Sequence, residues 1–300
     1  MVKVTEGTIN IDGVSLFTKT WLPTGPLKAK MIMIHGFSDH MDRYLGFFPY
    51  LAERGIAVYG FDQRGWGRSA PKHEDKGKTG PTTRVLADMV TFINTQLPSE
   101  VPVFILGHSM GGGQALTLAS TPEHEDITKQ IRGWILESPF VGFAPELKPS
   151  WLTVASGRLA AHVMPNFKMY RPIPPEHITR SLEVQESIRN DPLMHDYGTL
   201  EGLSGMLDRT NGLSDGKLVI SKNVHSLFMM HGDGDKTTSH DKSKEWCDRQ
   251  TTIKDKRFKT FAGFFHQLHA DPGREEFYED VASWILERSG DYPVAPDSKL

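Results

Sequence analysis

The sequence predicts an α/β fold in which a mostly parallel central sheet is flanked by helices and carries a helical insertion. Three observations support this prediction. Short apolar segments typical of buried strands alternate along the chain with amphipathic helical segments. The alternation stops between residues 139 and 223, where prolines are frequent, and resumes afterwards. A Gly-x-Ser-x-Gly pattern at residues 107–111 lies between an apolar strand and a helix.

The first predicted element is an antiparallel hairpin over residues 5–23. Its two segments, 8–11 and 14–21, alternate between polar and apolar residues, as strands with one exposed face do. They flank Asp12-Gly13, a dipeptide that favours a two-residue turn. The hairpin therefore precedes the parallel part of the sheet.

The predicted parallel strands follow, and most have the near-continuous apolar composition of strands buried on both faces. They cover residues 29–34, 56–61, 101–105, 131–136, 226–230 and 256–261. Apolar residues at helical spacing predict the intervening helices, over residues 44–54, 83–97, 114–120, 239–250 and 274–288. Ligands bind at the carboxyl ends of strands in such sheets, so the loops after residues 34 and 105 are candidates for the site.

The segment 139–223 is predicted to be a cap that lies over the carboxyl edge of the sheet. Helical spacing predicts one helix over residues 150–164, with Ser150 as its N-cap, and another over residues 198–210. The alternative is a further helical layer of a single domain. The predicted organisation is a core of residues 1–138 and 224–290, the cap, and a loose tail, 291–300.

Composition narrows the classes of function. The chain has 300 residues, a formal net charge of −3 and no basic block, so we expect no nucleic-acid partner. Its single cysteine, Cys247, excludes an internal disulfide and fits a reducing compartment. Residues 1–6 lack the apolar core of a signal peptide, and no segment approaches the roughly twenty apolar residues that span a bilayer. We therefore expect a cytoplasmic location.

The Gly-x-Ser-x-Gly pattern predicts a nucleophile at Ser109. Gly107 and Gly111 lack a Cβ, so the chain can turn sharply and hold Ser109 strained above the sheet edge. The helix that follows points backbone N–H groups at any developing oxyanion. The alternative is a glycine-rich structural turn, but the flanking strand and helix favour the catalytic interpretation.

A serine hydroxyl needs an imidazole to take its proton and a carboxylate to hold that imidazole. After later strands the chain supplies an aspartate, Asp233 or Asp235, and a histidine, His266 or His269. The order Ser, Asp, His is that of the α/β-hydrolases, and this is the predicted fold class. From the residues alone, both choices stay open.

The same loops predict neither a metal nor a cofactor. His231 and His240, beside Asp233 and Asp235, lack the helical His-x-x-x-His spacing of a metal site. The segment 62–67 contains glycines without the Lys-Ser/Thr ending of a phosphate loop. We expect its Asp62 and Arg64 to brace the loops behind the site.

Four motifs together resemble the monoacylglycerol lipases. They are His35-Gly36-Phe37-Ser38-Asp39-His40-x-x-Arg43-Tyr44, Asp62-x-x-Gly65-x-Gly67-x-Ser69, Gly107-His108-Ser109-Met110-Gly111-Gly112 and Asp191-Pro192-Leu193. The resemblance covers residues 25–288, including the insertion. The phenylalanine at position 37 resembles the fungal members of the family more than the mammalian members, which have a smaller residue at this position.

The resemblance implies a role for each candidate. Ser109 matches the nucleophile of the family. The Gly-x-x-Asp turn of the family falls on residues 232–235 and implies that the acid is Asp235. Its Gly-x-x-His-x-x-His segment falls on residues 263–269 and implies that the base is His266.

The resemblance also implies an oxyanion hole made by the backbone N–H groups of Phe37 and Met110, and no cofactor. One position departs from the family. Mammalian members have a tyrosine, thought to contact the glycerol end, three places before the Asp-Pro, and this chain has Ile188. How the glycerol end is held is therefore not predicted.

The predicted function is hydrolysis of monoacylglycerols to glycerol and a fatty acid through an acyl-enzyme. The alternatives are a lysophospholipase, a general carboxylesterase or an aminopeptidase with the same triad, or a catalytically silent binding protein. Long-chain monoacylglycerols reside in membranes and lipid droplets, so we expect peripheral docking through the apolar segment 150–164. The alternative is that this segment packs inward. The oligomeric state is not predicted.

Overall fold

The computed structural model describes residues 2–290, and the tail predicted to be loose lies outside the described residues. The strands are β1 (Lys3–Ile11), β2 (Val14–Leu22), β3 (Ala29–Ile34), β4 (Ile56–Phe61), β5 (Val103–His108), β6 (Ile131–Glu137), β7 (Lys168–Tyr170), β8 (Tyr197–Thr199), β9 (Ser226–Gly232) and β10 (Asp255–Phe261). The helices are α1 (Phe47–Glu53), α2 (Thr82–Asn94), α3 (Met110–Ala119), α4 (Glu125–Thr128), α5 (Trp151–Val163), α6 (Pro175–Ile178), α7 (Leu182–Arg189), α8 (Leu200–Ser214), α9 (His240–Arg249) and α10 (Glu275–Glu287).

Eight strands form one sheet in the order β1-β2-β4-β3-β5-β6-β9-β10. Strands β1, β2 and β4 pair antiparallel, and all other neighbours pair parallel. The predicted mostly parallel sheet is therefore confirmed. Its central strands are buried because helices cover both faces: α1 and α10 pack on one face, and α2, α3 and α9 pack on the other.

Some boundaries differ from the prediction. Strand β1 begins at Lys3 instead of residue 8, because backbone pairing with β2 extends over exposed residues that carry no apolar signal. The helix predicted over residues 44–54 is two elements, since Leu45 has a positive φ of 46° and separates a 3-10 turn, Met41–Tyr44, from α1.

The insertion contributes no strand to the eight-stranded sheet within the described residues. It contains α5 to α8 and the small antiparallel pair β7–β8. The β7–β8 pair was not predicted, because strands of three residues have too few positions to show a period. Helix α8 begins at Leu200 and packs against α2, α3 and α5. Among the described residues, none of the helices is both long and apolar enough to cross a membrane.

Candidate active site

Ser109 lies in a sharp turn between β5 and α3. Its φ of 54° lies in the left-handed region, which is strained for a residue with a Cβ. The turn requires small neighbours, because a Cβ on Gly107 would lie 2.7 Å from the carbonyl oxygen of Gly111. A Cβ on Gly111 would overlap the carbonyl oxygen of Ile34. The strained strand–turn–helix geometry is that of a nucleophile elbow.

The structure brings Asp235 and His266 together. Asp235 follows β9, His266 follows β10, and Asp235 Oδ2 accepts a hydrogen bond of 2.8 Å from His266 Nδ1. Asp235 Oδ1 accepts the backbone N–H groups of Thr237 and Thr238 at 2.7 and 3.0 Å. The Nδ1 proton is thus directed at the carboxylate, which leaves Nε2 of a neutral His266 free to accept a proton.

The carboxyl group of Asp235 is held ionised. Burial opposes its charge, but the nearby charge of His266 and hydrogen bonds from His231 and His266 outweigh this effect. Together they hold the pKa of Asp235 well below its usual range. A buried, ionised carboxylate is the group that stabilises an imidazolium during proton transfer.

The other two candidates have different partners. Asp233 is exposed, and its Oδ1 accepts the N–H of Gly263 at 2.5 Å, which ties the two loops together. His269 is fully buried, and both its Nδ1 and its backbone N–H contact Glu137 Oε1, at 2.8 and 3.0 Å. The structure therefore does not bring Asp233 or His269 into the Asp235–His266 pair.

Ser109 lies at the same edge of the sheet as this pair. It lines one cavity with Thr237 and Thr238, and Thr238 Oγ1 is 3.3 Å from His266 Nδ1. Among the described residues, Ser109 Oγ makes no hydrogen bond to His266. Such contacts are often long before substrate binds, so this arrangement remains compatible with proton transfer.

Two backbone N–H groups are available beside Ser109. Met110 is the first residue of α3, so its N–H has no partner within the helix. Over residues 2–290, the N–H groups of Phe37 and Met110 make no hydrogen bond, and both residues line the cavity with Ser109. The two groups can therefore donate to an oxyanion formed there.

The loop that carries Phe37 is fixed from two sides. On the core side, the N–H of Gln63 donates to His35 Nε2 at 2.8 Å. On the side of the insertion, His40 Nε2 and Arg43 contact Asp191 Oδ2 at 3.0 and 3.3 Å. These residues belong to motifs of the family resemblance, but their contact was not predicted, because the partners are about 150 positions apart.

The residues predicted to brace the loops do contact them. Asp62 Oδ1 and Oδ2 accept the N–H groups of Met41 and Arg68, both at 2.8 Å. Arg64 forms a bidentate ion pair with Asp88 at 2.7 and 2.9 Å. Asp62 thus holds the backbone of neighbouring loops, Arg64 ties its own loop to α2, and neither side chain lines the cavity.

An apolar cavity of about 340 Å³ opens at Ser109. Phe37 and Met110 contribute to it from the core, and most of its other walls come from the insertion, including Phe140, Leu147, Val154, Leu203 and Leu207. Ile188 does not line it. Its side chain packs instead in a small buried cluster, with Ile178, Val184 and Ala270.

A buried polar cluster that was not predicted lies behind His266. It comprises His108, Glu137 and His269, and the ring of His108 lies 5.0 Å from that of His266. Burial opposes ionisation of Glu137, but the charges of His269 and His108 lower its pKa. In the part of the chain that the structure describes, this is the one group with the spacing and residue types of a metal site. Glu137 Oε1 pairs with His269, whereas Glu137 Oε2, His269 Nε2 and His108 Nε2 have no hydrogen-bond partner among the described residues.

Comparisons with known proteins agree with this geometry. The family model described as "Serine aminopeptidase, S33" (Hydrolase_4) matches residues 25–273. A Schizosaccharomyces pombe protein named "Putative monoglyceride lipase" is 35% identical over 281 residues, which are 91% of this chain and 72% of that protein. Human monoglyceride lipase is 27% identical over 94% of this chain and 90% of its own length.

A solved structure is also similar. A soluble variant of Saccharomyces cerevisiae monoglyceride lipase, crystallised with a substrate analog, superposes with a TM-score of 0.83. The alignment covers 94% of each chain at 21% identity. At this identity the similarity bears on the fold, and the predicted fold class is confirmed.

Proposed function

This chain belongs to the Hydrolase_4 family of serine hydrolases, and from its similarity to monoglyceride lipases we propose that it hydrolyses monoacylglycerols to glycerol and a fatty acid. The predicted resemblance to the monoacylglycerol lipases is confirmed by the 35% identity with the fission-yeast protein. The observation that carries the proposal is the 2.8 Å Asp235–His266 hydrogen bond beside an apolar cavity that Ser109 lines.

The proposed mechanism uses only side chains and backbone of this chain. Ser109 Oγ attacks the acyl carbonyl while His266 Nε2 takes its proton, and Asp235 stabilises the resulting imidazolium. The N–H groups of Phe37 and Met110 hold the tetrahedral oxyanion, and one such donor typically lowers the barrier by about 3 kcal/mol. His266 then returns the proton to the departing glycerol oxygen. Water releases the fatty acid from the acyl-enzyme by the same steps.

The cavity suits the acyl part of the proposed substrate. Its walls are mainly apolar, and each buried methylene contributes about 0.8 kcal/mol to binding. Because most of this wall belongs to residues 139–223, we propose that the insertion acts as the cap predicted from the sequence. In this proposal the cap selects the acyl chain and the core performs the chemistry.

We further propose that α5 docks the enzyme on the surface of a membrane or lipid droplet. No residue of α5 is buried, and Trp151, Leu152, Leu159 and Val163 are each 61–78% exposed. An exposed apolar helix of this kind suits insertion into a lipid interface. The exposure favours docking over the alternative, in which the helix packs entirely inward.

One observation favours a lysophospholipase as the second candidate. Two arginines, Arg158 and Arg171, line the otherwise mainly apolar cavity. Arg158 pairs with Asp208. Within residues 2–290, the Arg171 guanidinium group hydrogen-bonds only Met169 Sδ, at 3.6 Å, and forms no ion pair with a carboxylate. A guanidinium group without a carboxylate partner can bind the phosphate of a lysophospholipid.

A substrate panel tests the proposal. We expect faster hydrolysis of monoolein than of lysophosphatidylcholine or aminoacyl amides, together with fluorophosphonate labelling that is lost in Ser109→Ala. A preference for lysophosphatidylcholine that disappears in Arg171→Leu would favour the second candidate. A parent protein that is neither labelled nor active on any ester would contradict both and indicate a binding protein.

A further inference from the structure

Two histidines contact the same oxygen of Asp235. His266 Nδ1 is 2.8 Å from Asp235 Oδ2, and His231 Nε2 is 2.9 Å from it. The hydroxyl of Thr238 donates to this oxygen as well, over 2.7 Å. The catalytic mechanism proposed above uses only the first of these three donors.

The surroundings of His231 favour a neutral imidazole that donates a hydrogen bond to Asp235. It lies in β9 with its side chain fully buried, and its Nδ1 has no hydrogen-bond partner among the described residues. A second proton on Nδ1 would therefore be buried without an acceptor. Burial lowers the pKa of His231, although the hydrogen bond to Asp235 opposes this shift. The Nε2–H group is thus left as the donor to Asp235.

We propose that His231 is a positioning residue that sets the proton affinity of His266 by sharing Asp235 Oδ2 with it. The inference rests on the proposed function, in which His266 is the general base. A carboxylate oxygen that already accepts two other hydrogen bonds stabilises an imidazolium less strongly. His231 also fixes the rotation of the carboxylate, so that Oδ2 faces His266. With His231 present, His266 stays neutral, and active, to lower pH.

Other titratable groups near Asp235 Oδ2 also affect the protonation of His266 and His231. Asp235 and His108 face His266, with His108 at 5.0 Å between ring centroids. His240 of α9 faces His231 at 5.7 Å between centroids. None of the variants below changes His108 or His240, so their effects cancel in a comparison with the parent.

The pH dependence of kcat/KM on a short, water-soluble ester tests the proposal. In His231→Leu the competing donor is lost, so Asp235 stabilises the imidazolium of His266 more strongly. We therefore expect the acid limb of the pH profile, where kcat/KM falls at low pH, to move to higher pH by about half a unit or more. His231→Gln places an amide N–H near the position of Nε2, and we expect the limb to return toward that of the parent. A limb unchanged in His231→Leu, or moved to lower pH, overturns the proposal even where thermal stability falls.

A second pair of variants covers the case in which His231→Leu does not fold. Thr238→Val removes another donor from the same oxygen and keeps the side-chain shape, whereas Thr238→Ser keeps the hydroxyl. We expect the valine variant to move the acid limb upward and the serine variant to leave it near that of the parent. If the acid limb of the pH profile does not move in Thr238→Val, the donors that share Asp235 Oδ2 do not set the proton affinity of His266.

Fluorophosphonate labelling of the parent protein distinguishes a failure of the proposed function from a failure of the role of His231. If a fluorophosphonate does not label Ser109 and no ester is hydrolysed, the proposed function and this inference both fail. If the parent is labelled and active but the limbs of all variants coincide, only the role of His231 fails.

Discussion

The hydroxyl oxygen of Ser38, the residue next to Phe37, accepts a hydrogen bond of 3.1 Å from the backbone N–H of His195 in the insertion. It accepts a second one, also of 3.1 Å, from the N–H of Asp196. The ring of His195 stacks on Trp66, and Trp66 packs against Phe37. The position of the insertion is therefore coupled to the position of one proposed oxyanion donor.

Loss of the Ser38 hydroxyl should weaken that coupling. We expect Ser38→Ala to lower kcat/KM roughly tenfold, because the N–H of Phe37 is less well placed for the oxyanion. The measurement is steady-state hydrolysis of a soluble ester, with a melting curve to check folding. Ser283→Ala is the matched control, since among the described residues its hydroxyl hydrogen-bonds only the exposed side chain of Glu279. Equal activities of the two variants would contradict the coupling.

The triad assignment predicts a clear contrast between neighbouring residues. Ser109→Ala, Asp235→Asn and His266→Ala should each lower kcat by roughly a thousandfold or more, because the three groups act as a unit. Asp233→Asn is the control, because Asp233 only ties its loop to Gly263. Should Asp233→Asn prove as damaging as Asp235→Asn, the acid has been assigned wrongly.

The docking surface can be separated from the chemistry. Replacing Trp151 and Leu152 with serine should weaken binding to lipid vesicles several-fold, because it removes exposed apolar area from α5. Hydrolysis of a short soluble ester should be nearly unchanged. Val219→Ser, an exposed apolar residue outside α5, serves as the control in a vesicle co-sedimentation assay. Unchanged binding by the double variant would place the docking surface elsewhere.

The His40–Asp191 contact predicts a pH-dependent stability. Burial opposes the charged form of His40, but the hydrogen bond to Asp191 and the charge of Asp39 outweigh it and raise the pKa of His40. Because the pKa of His40 is higher in the folded than in the unfolded protein, protonation of His40 stabilises the fold. This stabilisation is complete below the unfolded-state pKa of about 6.5 and is lost as pH rises through the folded-state pKa.

The comparison with His40→Gln isolates this effect, because glutamine offers Asp191 a neutral donor at every pH. We expect the difference in Tm between parent and variant to be largest below about pH 6.5 and to shrink at higher pH. A difference that is constant across this range would mean that folding leaves the pKa of His40 unchanged.

The sequence predicted the elements whose burial leaves a local pattern. Strands β3 and β4 were located to the residue, because both faces are covered and their composition is nearly all apolar. The elbow at Ser109 was predicted for a similar reason, since its glycines are needed within a few residues of one another. The choice of Asp235 over Asp233 was different: spacing left it open, and only the family resemblance favoured it.

What the sequence did not predict are contacts between distant positions. Glu137 directly follows the strand predicted over residues 131–136, and nothing near it in the sequence indicates that His269 Nδ1 will contact its carboxylate. His231 directly follows the strand predicted over residues 226–230, and β9 extends to include it. Its contact with Asp235 depends on how the following turn folds back, which is a property of the three-dimensional loop.

The reacting groups and the substrate-contacting wall of the cavity lie in different segments of the chain, which affects how acyl specificity can evolve. The proposed nucleophile, acid and base all lie outside residues 139–223, whereas most of the wall that meets the substrate lies inside them. Substitutions in the wall can therefore alter which chain lengths are accepted without disturbing the reacting groups. One region is limited in this respect, because Asp191, His195 and Asp196 hold the loop of Phe37. We expect laboratory selection for a new acyl specificity to enrich changes at the wall and to spare these three positions.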